Sequence, residues 1–208
     1  MQNRSVDNES LLWEEFKKGN QIGLSKIYLN NVTALYNFGC KFTIDKNLVK
    51  DCIQDIFITL IQTRSKLSDT RHVKGYLLKS LKRKIIRELV KKQKFDEIVE
   101  SGDYLFEINF ESLSDIGNED DNYMRRAFEV HAALESITSR QKEALYLRFN
   151  LGLSHIEIAD VLHLSSQSSR ALVSRAIQKI REITQPGKKQ IQNIISLFLA
   201  TGNMFFNI

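Results

Sequence analysis

The sequence predicts an all-α protein made of two small helical domains joined by an acidic linker, the second with a helix-turn-helix. Three observations predict it. Apolar residues recur at helical spacing through residues 8–94 and again from about residue 127. Pro186 is the single proline and only 9 of the 208 residues are glycine, so long stretches can stay helical and a many-stranded sandwich is disfavoured. Charge is partitioned as well. Residues 1–94 hold 19 Lys/Arg against 9 Asp/Glu, residues 95–126 hold 2 against 10, and residues 127–208 hold 9 against 6. A chain of this length can bury one medium core or two small ones. Two basic segments flanking an acidic one suggest two modules on a polyanion, although a solvated basic surface with a disordered linker gives the same charge map.

The first module spans residues 8–94. Leu12, Trp13 and Phe16 line one turn, Gly19-Asn20 marks a break, and Ile27, Leu35, Phe38 and Phe42 continue the pattern. "KNLVKDCIQDIFITLIQTRSKL" reads as a further amphipathic helix, with Val49, Ile53, Ile56, Phe57 and Leu60 toward a core and Asp51, Gln54 and Asp55 on the other side. A polar stretch, Ser68 to His72, precedes "VKGYLLKSLKRKIIRELVKKQK", a helix expected to bury Tyr76, Leu77, Leu81, Ile85 and Leu89 beneath a dense basic face.

Residues 95–126 mix acids with Ser, Gly, Asn and scattered Phe, Ile and Leu, which argues against a well-packed domain and reads as a connector. The second module, residues 127–185, opens with the apolar-periodic "AFEVHAALESI". Thr138-x-x-Gln141 and Ser154-x-x-Glu157 are capping-box signatures, each placed where periodicity starts a helix. Ile158, Ala159, Leu162 and Leu164 face Leu172, Val173, Ala176, Ile177 and Ile180 across the short turn His163-Leu164-Ser165, where Ser165 or Ser166 can cap the next helix. This spacing fits a helix-turn-helix, with an ordinary helical hairpin as the alternative. Residues 186–208 form an apolar C-terminal tail.

The chemistry this composition supports is polyanion binding. Arg170, Arg175, Lys179 and Arg181 supply cations for phosphates, and Gln167 and Arg170 have the reach for bidentate contact with a base. Ser166 and Ser169 reach phosphate or a base edge but discriminate poorly. Lys79, Lys82, Arg83, Lys84, Arg87, Lys91 and Lys92 line the earlier helix with only Glu88 to offset them. His72, Tyr76 and the polar turn before them offer stacking and hydrogen bonds to unpaired bases. There is no Gly-rich phosphate loop, no metal-ligand cluster and no nucleophile constellation, so no metal or other cofactor is expected and an enzyme is disfavoured. Cys40 and Cys52 read as two buried thiols in a reducing compartment. With no signal-like start and no apolar run of about 18 residues, a cytoplasmic chain without a membrane span is expected.

Taken in order, these segments resemble a bacterial sigma factor of the extracytoplasmic-function group, over residues 10–94 and 127–183. "KDCIQDIFITLI" looks like the family's helix that docks on the clamp of the polymerase largest subunit, which implies Asp51, Gln54, Asp55 and Phe57 as core-polymerase contacts. "RHVKGYLLKSLKRKIIRELVKK" resembles the segment that melts and captures the promoter −10 element, implying Arg71, His72, Lys74, Tyr76, Lys79, Lys82, Arg83, Lys84 and Arg87. The helix-turn-helix module resembles the domain that reads the −35 element and holds the flap of the second-largest subunit, implying Ser166, Gln167, Ser169, Arg170, Ser174, Arg175 and Lys179. The implied partners are core RNA polymerase and promoter DNA, with an anti-sigma protein admitted by the family. The acidic linker suits the cationic path that nucleic acid uses through the polymerase.

The chain departs from the family pattern at several points. Ile61 stands where a Trp commonly ends the docking helix, Lys84 and Arg87 replace an Asn and an Asp, and Ser169 and Leu172 replace a usually apolar and a frequently basic residue. The plain recognition helix, together with the apolar tail, raises the expectation that a recruited DNA-targeting partner shares promoter choice. The rival reading is a stand-alone two-module DNA-binding regulator that works without core polymerase.

Overall fold

The computed structural model describes residues 2–93, 105–107, 129 and 132–184. Most of the acidic connector, the start of the second module and the apolar tail lie outside the described residues. The chain forms two compact units, divided between Leu105 and Phe106. Among the described residues all regular structure is helical.

Among its described residues the first unit has the helices α1 Gln2–Lys17, α2 Gln21–Gly39, α3 Lys46–Gln62 and α4 Val73–Gln93, with a 3₁₀ turn at Arg64–Lys66. Helix α1 ends where the sequence places its break. Gly19 takes φ +107°, which favours glycine, and the Gly19 and Asn20 amides donate to the Phe16 and Glu15 carbonyls. Asn20 then caps α2 by accepting from the Ile22 amide at 2.9 Å. Asp45 caps α3 in the same way, through the Leu48 amide at 3.0 Å.

Trp13, Phe16, Ile27, Leu35 and Phe38 from α1 and α2 are buried with Val49, Cys52, Ile53, Ile56 and Leu60 of α3 and Leu77, Leu78, Leu81 and Ile85 of α4. Two glycines let these helices approach. A Cβ on Gly23 would lie 2.7 Å from the Leu12 carbonyl oxygen, and one on Gly39 would lie 2.5 Å from Val49 Cγ1. Two expected core positions on α4 differ. Tyr76 stays 38% exposed and Leu89 is half-buried, while Leu78 fills the core in their place.

In the second unit both capping boxes form in full. Thr138 and Gln141 open α5, Ser139–Leu145, and Ser154 and Glu157 open α6, His155–Leu162. Regular α geometry stops at Leu145. Residues Tyr146–Asn150 widen into a π turn, closed by the Leu151 amide on the Tyr146 carbonyl at 3.2 Å. Tyr146 and Leu147 are both buried in it, before Gly152, at φ +69°, reverses the chain. Phe106, which the sequence places in the connector, is fully buried with its ring against Tyr146, 5.7 Å between centroids. The connector's polar composition concealed this packed residue.

Helix α7, Ser166–Thr184, follows a tight turn in which His163 adopts the left-handed region at φ +55°. Ser165 is its cap, accepting from the Ser168 amide at 3.0 Å. Ile158, Ala159, Val161 and Leu162 of α6 are buried with Val173, Ala176 and Ile180 of α7, as a helix-turn-helix requires.

Candidate nucleic-acid and partner interfaces

Helix α3 turns Asp51, Gln54 and Asp55 outward, and Ile58 and Ile61 on the same outer side remain 42% and 59% exposed. Phe57, expected at this surface, is 7% exposed and lies edge-on to Tyr28, 5.0 Å between centroids. It is a core residue that shapes the edge of the face, and this corrects its expected role as a direct contact. The reason is its place on the helix: one residue beyond Ile56 and three before Leu60, it falls on the buried arc.

Helix α4 carries the cations unevenly. Tyr76, Lys79, Arg83 and Arg87 fall on one side of the helix and extend along about 16 Å at its 1.5 Å rise per residue. Arg83 and Arg87 are exposed, as is Arg71 before the helix, whereas His72, Lys74 and Lys79 are half-buried. Lys82 is only 8% exposed. It lies between Leu81 and Ile85 on the packed side, so it is not a surface cation, and the expectation that it contacts DNA is corrected. Lys84 turns to the flank that faces α3, where its ammonium meets Asp55 at 2.7 Å and Glu88 at 4.0 Å. The hydrogen bond to Asp55 raises the Lys84 pKa. Two residues assigned by sequence to different surfaces are thus one ion pair.

The loop from Leu67 to His72 leads into this stripe. Trp13 Nε1 donates to the Ser68 carbonyl at 3.0 Å, Lys17 pairs with Asp69, and the Trp13 and Tyr76 rings meet edge to face at 5.3 Å. No local pattern in the sequence marks these tethers, because their partners lie more than 50 residues apart.

On α7, Gln167, Arg170, Ser174, Arg175 and Lys179 are exposed and Ser166 is half-buried. Ser169 is fully buried, and its hydroxyl has no hydrogen-bond partner. It cannot read DNA, and the expectation is corrected. Positions 169, 173, 176 and 180 are the inward stripe of α7, which is why an apolar residue is usual at the first of them. Lys179 donates to the Ser136 carbonyl, so part of its capacity is spent inside the unit.

Sequence reading also missed Arg140. It lies on α5, donates to the Leu162 carbonyl at 3.1 Å, and lines a groove of about 430 Å³ with Leu164, Gln167, Ser168, Ala171, Leu172 and Arg175. Its only sequence signal was a cation just inside a capping box. His155, at the start of α6, is held below its ordinary pKa by burial, with Arg148 and Arg170 adding to the effect.

The arrangement can hold phosphates and bases. Among the described residues, no three His, Cys, Asp or Glu side chains gather as a metal ion would need. Cys52 is buried and Cys40 half-buried; both are free thiols, and burial pushes Cys52 up to about 11 and raises Cys40 as well. Neither is a ready nucleophile at neutral pH. Among the described residues no helix is long and apolar enough to cross a membrane.

Comparison with known proteins places these surfaces in context. Residues 27–95 match the family model for Sigma-70 region 2, and residues 127–180 match that for Sigma-70, region 4. Among solved structures, the chain is similar to CnrH in complex with the cytosolic domain of CnrY, at 19% identity and a TM-score of 0.56, covering 86% of this chain and 97% of that one. It is also similar to the sigma factor RpoE in complex with the anti-sigma factor NepR from Bartonella quintana, at 18% identity and a TM-score of 0.54, covering 79% and 98%. No curated protein matches the sequence.

Proposed function

We infer that this chain, which belongs to the sigma-70 family, is a sigma factor of the extracytoplasmic-function type that binds core RNA polymerase, directs it to promoters and opens the −10 region. The observation that carries the reading is the order of regions 2 and 4 on one chain, combined with an outer α3 face opposite in charge to the α4 stripe. Asp51, Gln54 and Asp55, with Ile58 and Ile61 beside them, form the surface for the clamp of the largest subunit. Tyr76, Lys79, Arg83, Arg87 and Arg71, with His72 and the loop before it, take the −10 strand. Cations hold its phosphates and the aromatic group offers a stacking face. Gln167 and Arg170 read the −35 major groove, while Arg140, Ser174 and Arg175 hold its backbone.

The sigma-70 family is not an enzyme family, and the chain is assigned no catalysis or cofactor of its own; the chemistry stays with the polymerase. Its place is the cytoplasm, where the polymerase works. The acidic segment 95–126 is the linker between the two domains. An anti-sigma protein is a further partner, since the exposed isoleucines and carboxylates of α3 are a surface that must be covered when the polymerase is absent. With Ser169 turned inward the reading head is plainer still. This favours help in promoter choice from a recruited DNA-targeting partner, with the apolar tail 186–208 as its attachment.

The test of the main reading is equilibrium binding of the full chain to purified core polymerase. Asp51→Ala with Asp55→Ala should weaken it at least tenfold. Unchanged affinity, or no binding by the unmodified chain, favours the stand-alone regulator.

A further inference from the structure

The loop that leads into α4 lies largely at the surface. Ser68, Asp69 and Arg71 are exposed, and Leu67, Thr70 and His72 are only half-buried. Within the loop, the His72 amide donates to the Thr70 hydroxyl at 3.1 Å. The Leu67 amide donates to the Arg64 carbonyl and the Tyr76 amide to the His72 carbonyl at its two ends, and two longer-range anchors come from α1. Trp13 is 1% exposed, so its indole N–H has little access to water, and it donates to the Ser68 carbonyl at 3.0 Å. A buried donor of this kind is costly to leave unpaired, which ties the loop backbone to one register. One turn further along α1, Lys17 pairs with Asp69. The same Trp13 ring supports Tyr76, the first residue of the α4 stripe. A single indole therefore sets both the backbone of the loop and the aromatic face beside it.

We propose that Trp13 and Lys17 are positioning residues for base selection, holding the loop 67–72 and Tyr76 in the one arrangement that admits a particular unpaired base. They touch no DNA themselves. The proposal rests on the reading of this surface as the −10 site. Stacking alone accepts any base, so discrimination has to come from a fixed pocket outline, and a loosened loop keeps affinity while losing selectivity.

The test uses holoenzyme assembled from core polymerase and the full chain, presented with single-stranded DNA oligonucleotides carrying a randomised block; the retained strands are sequenced. Trp13→Phe keeps an aromatic ring, smaller than the indole, and removes the N–H, and Lys17→Met keeps the aliphatic stem and removes the charge. The unmodified chain should enrich a motif. Each variant should cut its discrimination several-fold at one or two adjacent positions, with total strand binding and core affinity unchanged. The exchange Lys17→Asp with Asp69→Lys should restore it. Variants that enrich the same motif as sharply as the unmodified chain overturn the proposal and leave the −10 reading standing. A parallel fall in core affinity in both variants also overturns it, because the two residues would then only hold the unit together. If the unmodified chain enriches no motif, the −10 reading fails and the proposal fails with it.

Discussion

Replacing Ser169 with alanine sets a DNA contact against a packing residue. The Ser169 side chain is fully buried and its hydroxyl lacks a hydrogen-bond partner. Burying a hydroxyl in this way costs about 1–3 kcal/mol by mutational measure. Alanine has nearly the same volume, so little cavity opens, and Ser169→Ala should stabilise the second unit by about 1 kcal/mol. For a domain of this size that is a rise in Tm of about 4–8 °C. The chain's single tryptophan, Trp13, lies in the first unit, which separates the two readouts. The tryptophan fluorescence melt should stay in place while the far-ultraviolet circular dichroism transition of the second unit moves up. Binding of the holoenzyme to a promoter fragment it occupies should change by less than about twofold, because no outward group is lost. By contrast, Gln167→Ala should cost about 1–3 kcal/mol, roughly 5- to 150-fold, if it makes a bidentate base contact. A Ser169→Ala protein that melts no higher and binds promoter DNA markedly more weakly would refute the inward placement of this residue.

Other perturbations should behave as follows. Gly23→Ala would place a Cβ against the Leu12 carbonyl, so the usual gain of about 1 kcal/mol for alanine in a helix should reverse to a loss of about 1–3 kcal/mol, read from the Trp13 fluorescence melt. Folding lowers the His155 pKa from its ordinary 6.5, so the stabilisation it contributes should be full above that value and fade as pH falls through the lower folded value; His155→Gln should flatten this part of the second unit's stability-pH curve. Lys84→Met should change stability by less than about 0.5 kcal/mol, since the Asp55 pair is half-exposed, yet should tighten core-polymerase binding in a competition assay by freeing the Asp55 carboxylate. Truncation after residue 186 should reduce promoter occupancy in cells, measured by genome-wide mapping, if the tail recruits a partner.

Local signals carried much of the fold into the sequence. Gly19-Asn20, the two capping boxes and Gly152 mark element ends because they act over a few residues, and the helical spacing of Leu12, Trp13, Phe16, Val49, Ile53 and Leu60 marks the core. The errors came where residue type and helix face disagree. Lys82 looks like a surface cation and Ser169 like a polar reader, yet each sits on the inward arc of its helix; Phe57 looked available and packs on Tyr28. What the sequence could not reveal is long-range. The Asp55–Lys84 pair, the Trp13–Ser68 bond, the place of Phe106 against Tyr146 and the meeting of Arg140 with Arg175 all join residues far apart in the chain. The π turn at Tyr146–Asn150 has no compositional signature in the sequence.

The most direct test is run-off transcription with purified core RNA polymerase on a fragment carrying a mapped transcript start, with and without the full chain. The account predicts a discrete transcript that requires both the chain and core polymerase and is lost when Asp51 and Asp55 are both alanine. A chain that binds the fragment tightly but yields no transcript with core polymerase would contradict it.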